Sequence, residues 1–262
     1  MKSILSRDNP LIKRVRALAH GGRDRRKLGQ TVIDGAHLVA AALDAGLMPR
    51  EVLLSAHGAS RPEHTGLCAQ LPSDVLVAMV PDALFAQLSP VESPSGMLAV
   101  IDIPVVDQAL PGGGDVLVLD AVQDAGNLGT LLRTAGAAGL RHAVLTSGCA
   151  QAWAPRVLRA AMGAHFLLQI HEQADAESWL ATYAGRIFVT ALGEGSRSIY
   201  EADLRGESAW VFGAEGAGVS AALMARATDR LIIPMPGTME SLNVAAAAAI
   251  CLFEQIRQRH AS

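Results

Sequence analysis

Cysteine is scarce in this chain of 262 residues. Its three cysteines, Cys68, Cys149 and Cys251, form an odd number and have neither paired nor metal-ligand spacing. This excludes a disulfide framework and favours a reducing compartment, so we expect a cytoplasmic protein.

Long apolar runs are also lacking. The longest spans residues 244–253, and its ten residues are roughly half of the ~20 that a helix needs to cross a bilayer. Residues 1–14 carry charges and Pro10 where a signal peptide would have an apolar core. We therefore expect neither a membrane span nor export.

Charged residues make up only 18% of the chain, whereas half of all residues are apolar, a balance that excludes disorder over most of its length. The net charge of −3 conceals an asymmetry, because residues 1–30 carry nine basic and two acidic side chains, a net +7, and the other 232 residues sum to −10. A basic arm on an acidic body is typical of proteins that contact nucleic-acid phosphates, although a solvated helix face has the same composition. The candidate residues for this contact are Lys13, Arg14, Arg16, Arg23, Arg25, Arg26 and Lys27.

Helical and strand patterns alternate through two units. A proline- and glycine-rich stretch divides the chain into residues 1–104, a linker at 105–114 and residues 115–262. The first unit has a helical arm, an amphipathic helix at 37–45 and predicted strands at 51–55, 75–80 and 97–103. In the second unit we predict strands at 115–120, 142–147, 166–170, 186–192, 209–213 and 230–235, and helices at 129–138, 154–162 and 174–183. The pattern predicts an α/β fold with a mostly parallel sheet and helices on both of its faces.

The chain has no phosphate-binding P-loop, since none of its glycine-rich runs ends in Gly-Lys-Ser or Gly-Lys-Thr. This disfavours nucleoside triphosphate hydrolysis. The glycines at 213–218 run in the reverse spacing to the dinucleotide fingerprint, and Gly193-Glu-Gly195 lacks the third glycine. A dinucleotide cofactor is therefore disfavoured as well.

The loops after the predicted strands are the expected places for a site, because open α/β sheets bind ligands at the carboxyl ends of their strands. After the first strand of the second unit, Asn127 lies where it can cap a helix, and Arg133 lies almost two turns into that helix. An arginine among Leu131, Leu132 and Ala135 predicts a charge that needs a partner or an anionic ligand. A structural ion pair is the alternative.

Two further loops have a composition suited to ligand binding. In the loop at 213–220, three glycines surround Glu215 and would let a ligand approach the backbone closely. Residues 233–245 lead from a strand through prolines and a glycine into an alanine-rich helix, for which Ser241 is the expected N-cap.

In order and spacing, these three segments resemble the motifs of the SpoU (TrmH-type) RNA ribose 2′-O-methyltransferases of the SPOUT superfamily. The resemblance rests on Asn-x5-Arg, Gly-x-Glu-Gly and Ser-Leu-Asn together and covers nearly all of residues 115–262. Residues 6–10 and 33–38 resemble, more loosely, the ribosomal-protein-L30e-like RNA-binding domain that often precedes this unit. Ala125 and Ala214 depart from residues that the family prefers, but neither change removes a reactive group.

The resemblance implies a deep trefoil knot in the C-terminal unit, a smaller L30e-like α/β domain before it, and S-adenosylmethionine bound in the knot. It implies methyl transfer to a ribose 2′-hydroxyl, with Arg133 activating that hydroxyl. Because arginine stays protonated, electrostatic stabilisation is the more conservative role for it. The resemblance assigns cofactor binding to Leu192, Gly213, Gly216, Ile233, Met235 and Leu242. It assigns catalysis to Arg133, Asn127, Glu215, Ser241 and Asn243.

Three functions compete on this sequence: an RNA ribose methyltransferase, a catalytically inactive RNA-binding dimer and a nicotinamide-dependent oxidoreductase. We rank them in that order, because the polar set is intact and the dinucleotide fingerprint is missing. The L30e-like module favours ribosomal RNA over transfer RNA as the substrate, by analogy. The nucleotide itself is not identified by the sequence.

The last helix, expected from Leu242 to Arg259, predicts a homodimer formed by the C-terminal unit. Five consecutive alanines at 245–249 place small apolar side chains around its whole circumference. The alternative is a helix buried wholly within its own subunit. In relatives, a second subunit completes the pocket beside the knot.

Overall fold

The computed structural model describes residues 1–91, 93–107, 109–191 and 195–260, which form two compact α/β units. The first unit comprises Met1–Val105 together with Trp153–Phe166. The second comprises Val106–Ala152 together with Leu167–Ser262. The chain therefore passes from the second unit into the first and back again.

The first unit is built on a five-stranded sheet. Its strands are β1 (Lys2–Ser3), β2 (Gln30–Asp34), β3 (Glu51–Ser55), β4 (Leu76–Val80) and β5 (Met97–Asp102). Their order is β1-β4-β3-β5-β2, and β5 runs antiparallel to both of its neighbours. The helices are α1 (Pro10–His20), α2 (Gly22–Leu28), α3 (Ala36–Asp44), α4 (Pro62–Ala69) and α5 (Asp82–Leu88).

The basic N-terminal segment is part of this unit's core. α1 begins where the Asn9 side chain accepts a hydrogen bond from Leu11 N at 2.9 Å. Ile12, Val15 and Leu18 on one face of α1 are fully buried in the hydrophobic core. The expectation of an arm was therefore wrong for α1, because its three basic residues lie on a helix that also carries an apolar stripe at helical spacing.

The second unit contains a seven-stranded sheet. Its strands are β6 (Val116–Asp120), β7 (His142–Leu145), β8 (Gln169–His171), β9 (Arg186–Thr190), β10 (Arg197–Ser198), β11 (Ser208–Gly213) and β12 (Asp229–Ile232). The remaining helices of the chain are α6 (Ala125–Ala137), α7 (Pro155–Ala161), α8 (Ala176–Leu180), α9 (Ala221–Met224) and α10 (Val244–His260). Of these, α7 belongs to the first unit.

The strand order is β10-β12-β9-β11-β6-β7-β8, and each of these pairings is parallel. This confirms the predicted mostly parallel sheet. In the register of β6 and β11, Asp120 lies opposite Gly213, so the loops that follow both strands leave the sheet side by side. The passage of the chain through a knot stays a prediction.

Two predicted strands differ from the structure by three residues at one end. Residues Ala164–Phe166 form a 3-10 helix, so β8 starts only at Gln169. β12 ends at Ile232, before Pro234, which has no backbone N–H to donate to a neighbouring strand. Within the described ranges, no helix has both the length and the apolar composition that a bilayer crossing requires.

Candidate active site

A cavity of about 680 Å³ opens at the carboxyl ends of β9, β11 and β12. This volume is typical of small-molecule pockets, and the place is the one at which open α/β sheets bind ligands. The predicted cofactor residues that line it are Gly213, Gly216, Ile233, Met235 and Leu242. Leu192, also predicted for this role, lies outside the described residues.

A tight loop after β11 forms one wall of the cavity. Gly218 has a φ of +68° and donates its N–H to Ala214 O at 2.8 Å, which closes the turn that presents Glu215. A Cβ on Gly213 would overlap the carbonyl group of Gly218. The loop can therefore fold this closely only with glycine at position 213.

Three of the predicted catalytic residues form a chain of hydrogen bonds. Asn243 Nδ2 donates to Asn127 Oδ1 at 2.9 Å, and Asn127 Nδ2 donates to Glu215 Oε1. Asn243 Oδ1 accepts from the backbone N–H groups of Ala245 and Ala246 at the start of α10. Because the start of α10 binds Oδ1 of Asn243, the Nδ2 amino group of Asn243 must face Asn127. This fixes the orientation of the Asn127 amide, which in turn directs its own Nδ2 to Glu215.

Both helix caps differ from the expected ones. Asn243, not Ser241, caps α10, and Ser241 lies in the cavity wall. Asp124 caps α6 by accepting from Asn127 N at 2.7 Å, because this helix begins at Ala125. Asn127 thus lies inside the first turn, where its side chain is available for Glu215 and Asn243.

Arg133 is exposed, although its neighbours in sequence are apolar. α6 buries Leu131, Leu132 and Ala135, and Arg133 falls on the opposite face. Among the described residues it forms no ion pair or hydrogen bond, and it does not line the cavity. The guanidinium is therefore available to a ligand or to a second copy of the chain.

Cys149 lies beside the end of β6 and donates from its thiol to Leu119 O at 3.2 Å. Burial raises the pKa of this thiol above its usual value. The thiol is thus protonated at neutral pH, which is unsuited to nucleophilic catalysis.

The predicted RNA-contacting residues of the first unit fall into two groups. Arg25 is buried and donates to Leu18 O at 2.7 Å, so its assignment to RNA was wrong. Arg14 is half-buried and pairs with Glu51. Arg16 is half-buried, whereas Lys13, which pairs with Asp8 at 3.1 Å, and Arg23, Arg26 and Lys27 are exposed.

Other residues at the site were missed by sequence reasoning. Thr190, Val219 and Met224 line the cavity, and Asp120 holds the loop after β11. Asp120 could have been identified from the sequence, because it is an acidic residue at the end of a predicted buried strand. The lining residues carry no such signal, because their side chains suit a core equally well.

Residues 115–253 match the SpoU rRNA Methylase family, and residues 9–99 match the MRM3-like substrate binding domain. The chain is similar to 23S rRNA (guanosine(2553)-2′-O)-methyltransferase RlmP of Bacillus subtilis (strain 168), with 35% identity over 257 residues, 97% of this chain and 98% of the relative. It is similar to the crystal structure of an RNA 2′-O ribose methyltransferase, with 29% identity over 98% of this chain and 99% of that one and a TM-score of 0.85. An AdoMet-bound rRNA methyltransferase from Sinorhizobium meliloti is 28% identical over 98% and 97% of the two chains, with a TM-score of 0.84. The chain belongs to the SpoU rRNA Methylase family.

Proposed function

We propose that this protein transfers a methyl group from S-adenosylmethionine to a ribose 2′-hydroxyl of large-subunit ribosomal RNA. The cavity at the sheet edge carries the proposal, because Glu215 and Asn243 line it and Asn127 joins them. The Bacillus relative, named for this reaction on a guanosine, aligns with both units. Guanosine is therefore the first nucleotide to test.

The residues present fit S-adenosylmethionine. Ile233, Met235 and Leu242 supply apolar walls for an adenine ring, while the backbone around Gly213 and Gly216 can read its polar edge. When bound, the cofactor supplies a methyl group on a positively charged sulfonium. The proposed trefoil knot would enclose this cavity, and the motif resemblance supports it.

The chain's own groups then act on the ribose. The hydrogen bonds from Asn243 through Asn127 fix the direction of the Glu215 carboxylate at the cavity. The positively charged guanidinium of Arg133 stabilises the negative charge that develops on the ribose oxygen as the hydroxyl proton passes to a phosphate oxygen of the RNA. Loss of the methyl group would leave S-adenosylhomocysteine, a neutral thioether. Alignment of the hydroxyl with the methyl group supplies the rest of the acceleration.

A homodimer is part of the proposal, since Arg133 does not line the cavity of its own subunit. α10 packs against α6 and buries Cys251 and Leu252, yet leaves Phe253 48% exposed. A helix buried wholly within its own subunit would not expose this ring. A second copy packed on α6 and α10 would cover Phe253 and bring its own Arg133 to the cavity.

Three alternatives predict different results. A transfer-RNA methyltransferase would modify tRNA, and an inactive RNA-binding dimer would bind no S-adenosylmethionine. An oxidoreductase would bind NADH in place of S-adenosylmethionine. For the favoured function we also propose a cytoplasmic location, which the absence of paired cysteines supports.

Mapping of ribose methylation in total RNA, with and without the gene, tests the proposed substrate. We expect deletion to remove one 2′-O-methyl group from large-subunit ribosomal RNA, and a plasmid copy of the gene to restore it. Loss of a methyl group from a tRNA, with ribosomal RNA unchanged, would assign the protein to the tRNA alternative.

We expect Arg23, Arg26 and Lys27 to contact RNA phosphates. Their simultaneous change to Glu should make the negative slope of log affinity against log salt shallower by about two to three. Each lost phosphate contact removes about 0.7 to 0.9 from the steepness of that slope. Deletion of residues 1–30 is unsuitable, because it removes the core residues of α1. The corresponding triple Gln variant serves as the graded control, and an unchanged slope in both would mean that this face is only solvated.

A further inference from the structure

The loop after β11 contributes more of the cavity wall than any other segment, because residues 213–219 all line the cavity. Its first end is held by the pairing of Gly213 with β6. Residues 215–218 are exposed, and the bond between Gly218 N and Ala214 O only closes the turn on itself. Asn127 holds the side chain of Glu215, but the backbone of the loop needs a further anchor to the sheet, and that anchor lies at its second end.

That second end is bound by a buried carboxylate. Ser220 N donates to Asp120 Oδ2 at 2.8 Å, and Asp120 is the last residue of the inner strand β6, with 7% exposure. Asp120 Oδ1 accepts from Thr146 Oγ1 at 3.1 Å, and the same hydroxyl oxygen accepts from Ala121 N at 3.0 Å. The carboxylate is thus held on both oxygens and cannot turn away from the loop.

We propose that Asp120 is a positioning residue, which locks the loop at 213–220 through the backbone N–H of Ser220 and holds Glu215 and the cavity wall in place before the ligand binds. Asp120 does not itself line the cavity. Its effect is preorganisation: a loop already fixed in its bound form loses less conformational freedom when the ligand arrives. The proposal rests on the proposed function only in taking S-adenosylmethionine as the ligand.

Ser220→Pro removes this one N–H and leaves Asp120 in place. Ser220 has a φ of −59°, which proline adopts without strain, and its side chain makes no capping hydrogen bond. We expect the dissociation constant for S-adenosylmethionine to rise roughly tenfold or more, since the lost bond joins a donor to a charged acceptor. Ser220→Ala, which keeps the N–H, is the matched control and should bind as the wild type does.

A second readout requires no cofactor. In the free protein, hydrogen exchange of the amides at 214–219 should be roughly tenfold faster in Ser220→Pro than in Ser220→Ala, while exchange in β6 is unchanged. Wild-type affinity and wild-type exchange in Ser220→Pro would overturn the proposal. If the wild type binds no S-adenosylmethionine but exchange still accelerates, the proposed function fails and the positioning role stands.

Variants of Asp120 decide the question if Ser220→Pro does not fold. In Asp120→Asn, the amide oxygen can accept from Ser220 N while Nδ2 donates to the second lone pair of Thr146 Oγ1. Asp120→Ala loses both contacts. We expect near wild-type affinity and loop exchange in Asp120→Asn, and weaker binding with faster loop exchange in Asp120→Ala. Equal effects of the two variants would contradict the proposal.

Discussion

Arg133→Ala is expected to lower kcat for methyl transfer by about 10² to 10³, the usual cost of removing one donor from a developing oxyanion. The affinity for S-adenosylmethionine and the melting temperature should stay at their wild-type values, because Arg133 is exposed and its proposed role is on the ribose hydroxyl and not on the cofactor. Single-turnover kinetics with saturating RNA, together with calorimetric titration of the cofactor, separate these effects.

Arg141→Ala provides a control for the loss of an exposed arginine in the same unit, since Arg141 is also exposed. We expect this variant to retain wild-type turnover. If Arg133→Ala keeps more than about a tenth of wild-type turnover, a change under ~1.4 kcal/mol in the barrier, Arg133 has no catalytic role.

Two inactive variants are expected to restore activity to one another when they share a dimer. Gly213→Ala distorts the loop at the cavity, because the added Cβ would overlap the carbonyl of Gly218. This variant leaves Arg133 intact. Arg133→Ala leaves the cavity intact. Co-expression of the two should give about a quarter of wild-type activity, since half of the random dimers are mixed and each holds one complete site.

The restored activity depends on Arg133 acting across the dimer. Differently tagged subunits allow the mixed dimer to be purified and measured separately from the two parent dimers. A mixed dimer as inactive as either parent would show that Arg133 serves the cavity of its own chain. Full activity in a monomer at micromolar concentration would remove the partner from the site altogether.

The sequence predicted the elements whose pattern is local. β3 has its predicted bounds at Glu51–Ser55, and the loops that carry Gly213 and Asn243 meet at one sheet edge, because parallel strands place their carboxyl ends together. The sequence did not show which face of α6 carries Arg133, since neighbours in sequence lie on different faces of a helix. Leucines next to an arginine therefore do not establish that it is buried.

The helix N-caps and the contacts between distant segments could not be predicted from the sequence. Asp124, Asn127, Ser241 and Asn243 all suit an N-cap, and a shift of two or three residues in the helix start decides which of them serves. The return of residues 153–166 to the first unit depends on contacts between distant segments, such as the hydrogen bond from Thr31 Oγ1 to Trp153 O. No periodicity along the chain encodes such a pairing.

The central claim is that a ribose 2′-hydroxyl receives the methyl group. The most direct measurement incubates the purified protein with methyl-labelled S-adenosylmethionine and ribosomal RNA from the deletion strain, digests the RNA to nucleosides and identifies the labelled product by mass spectrometry. We expect the label in a single 2′-O-methylated nucleoside, with guanosine tested first, and incorporation about 10² to 10³ times slower with Arg133→Ala. Label on a nucleobase, or unlabelled RNA with protein that binds the cofactor, would contradict this account.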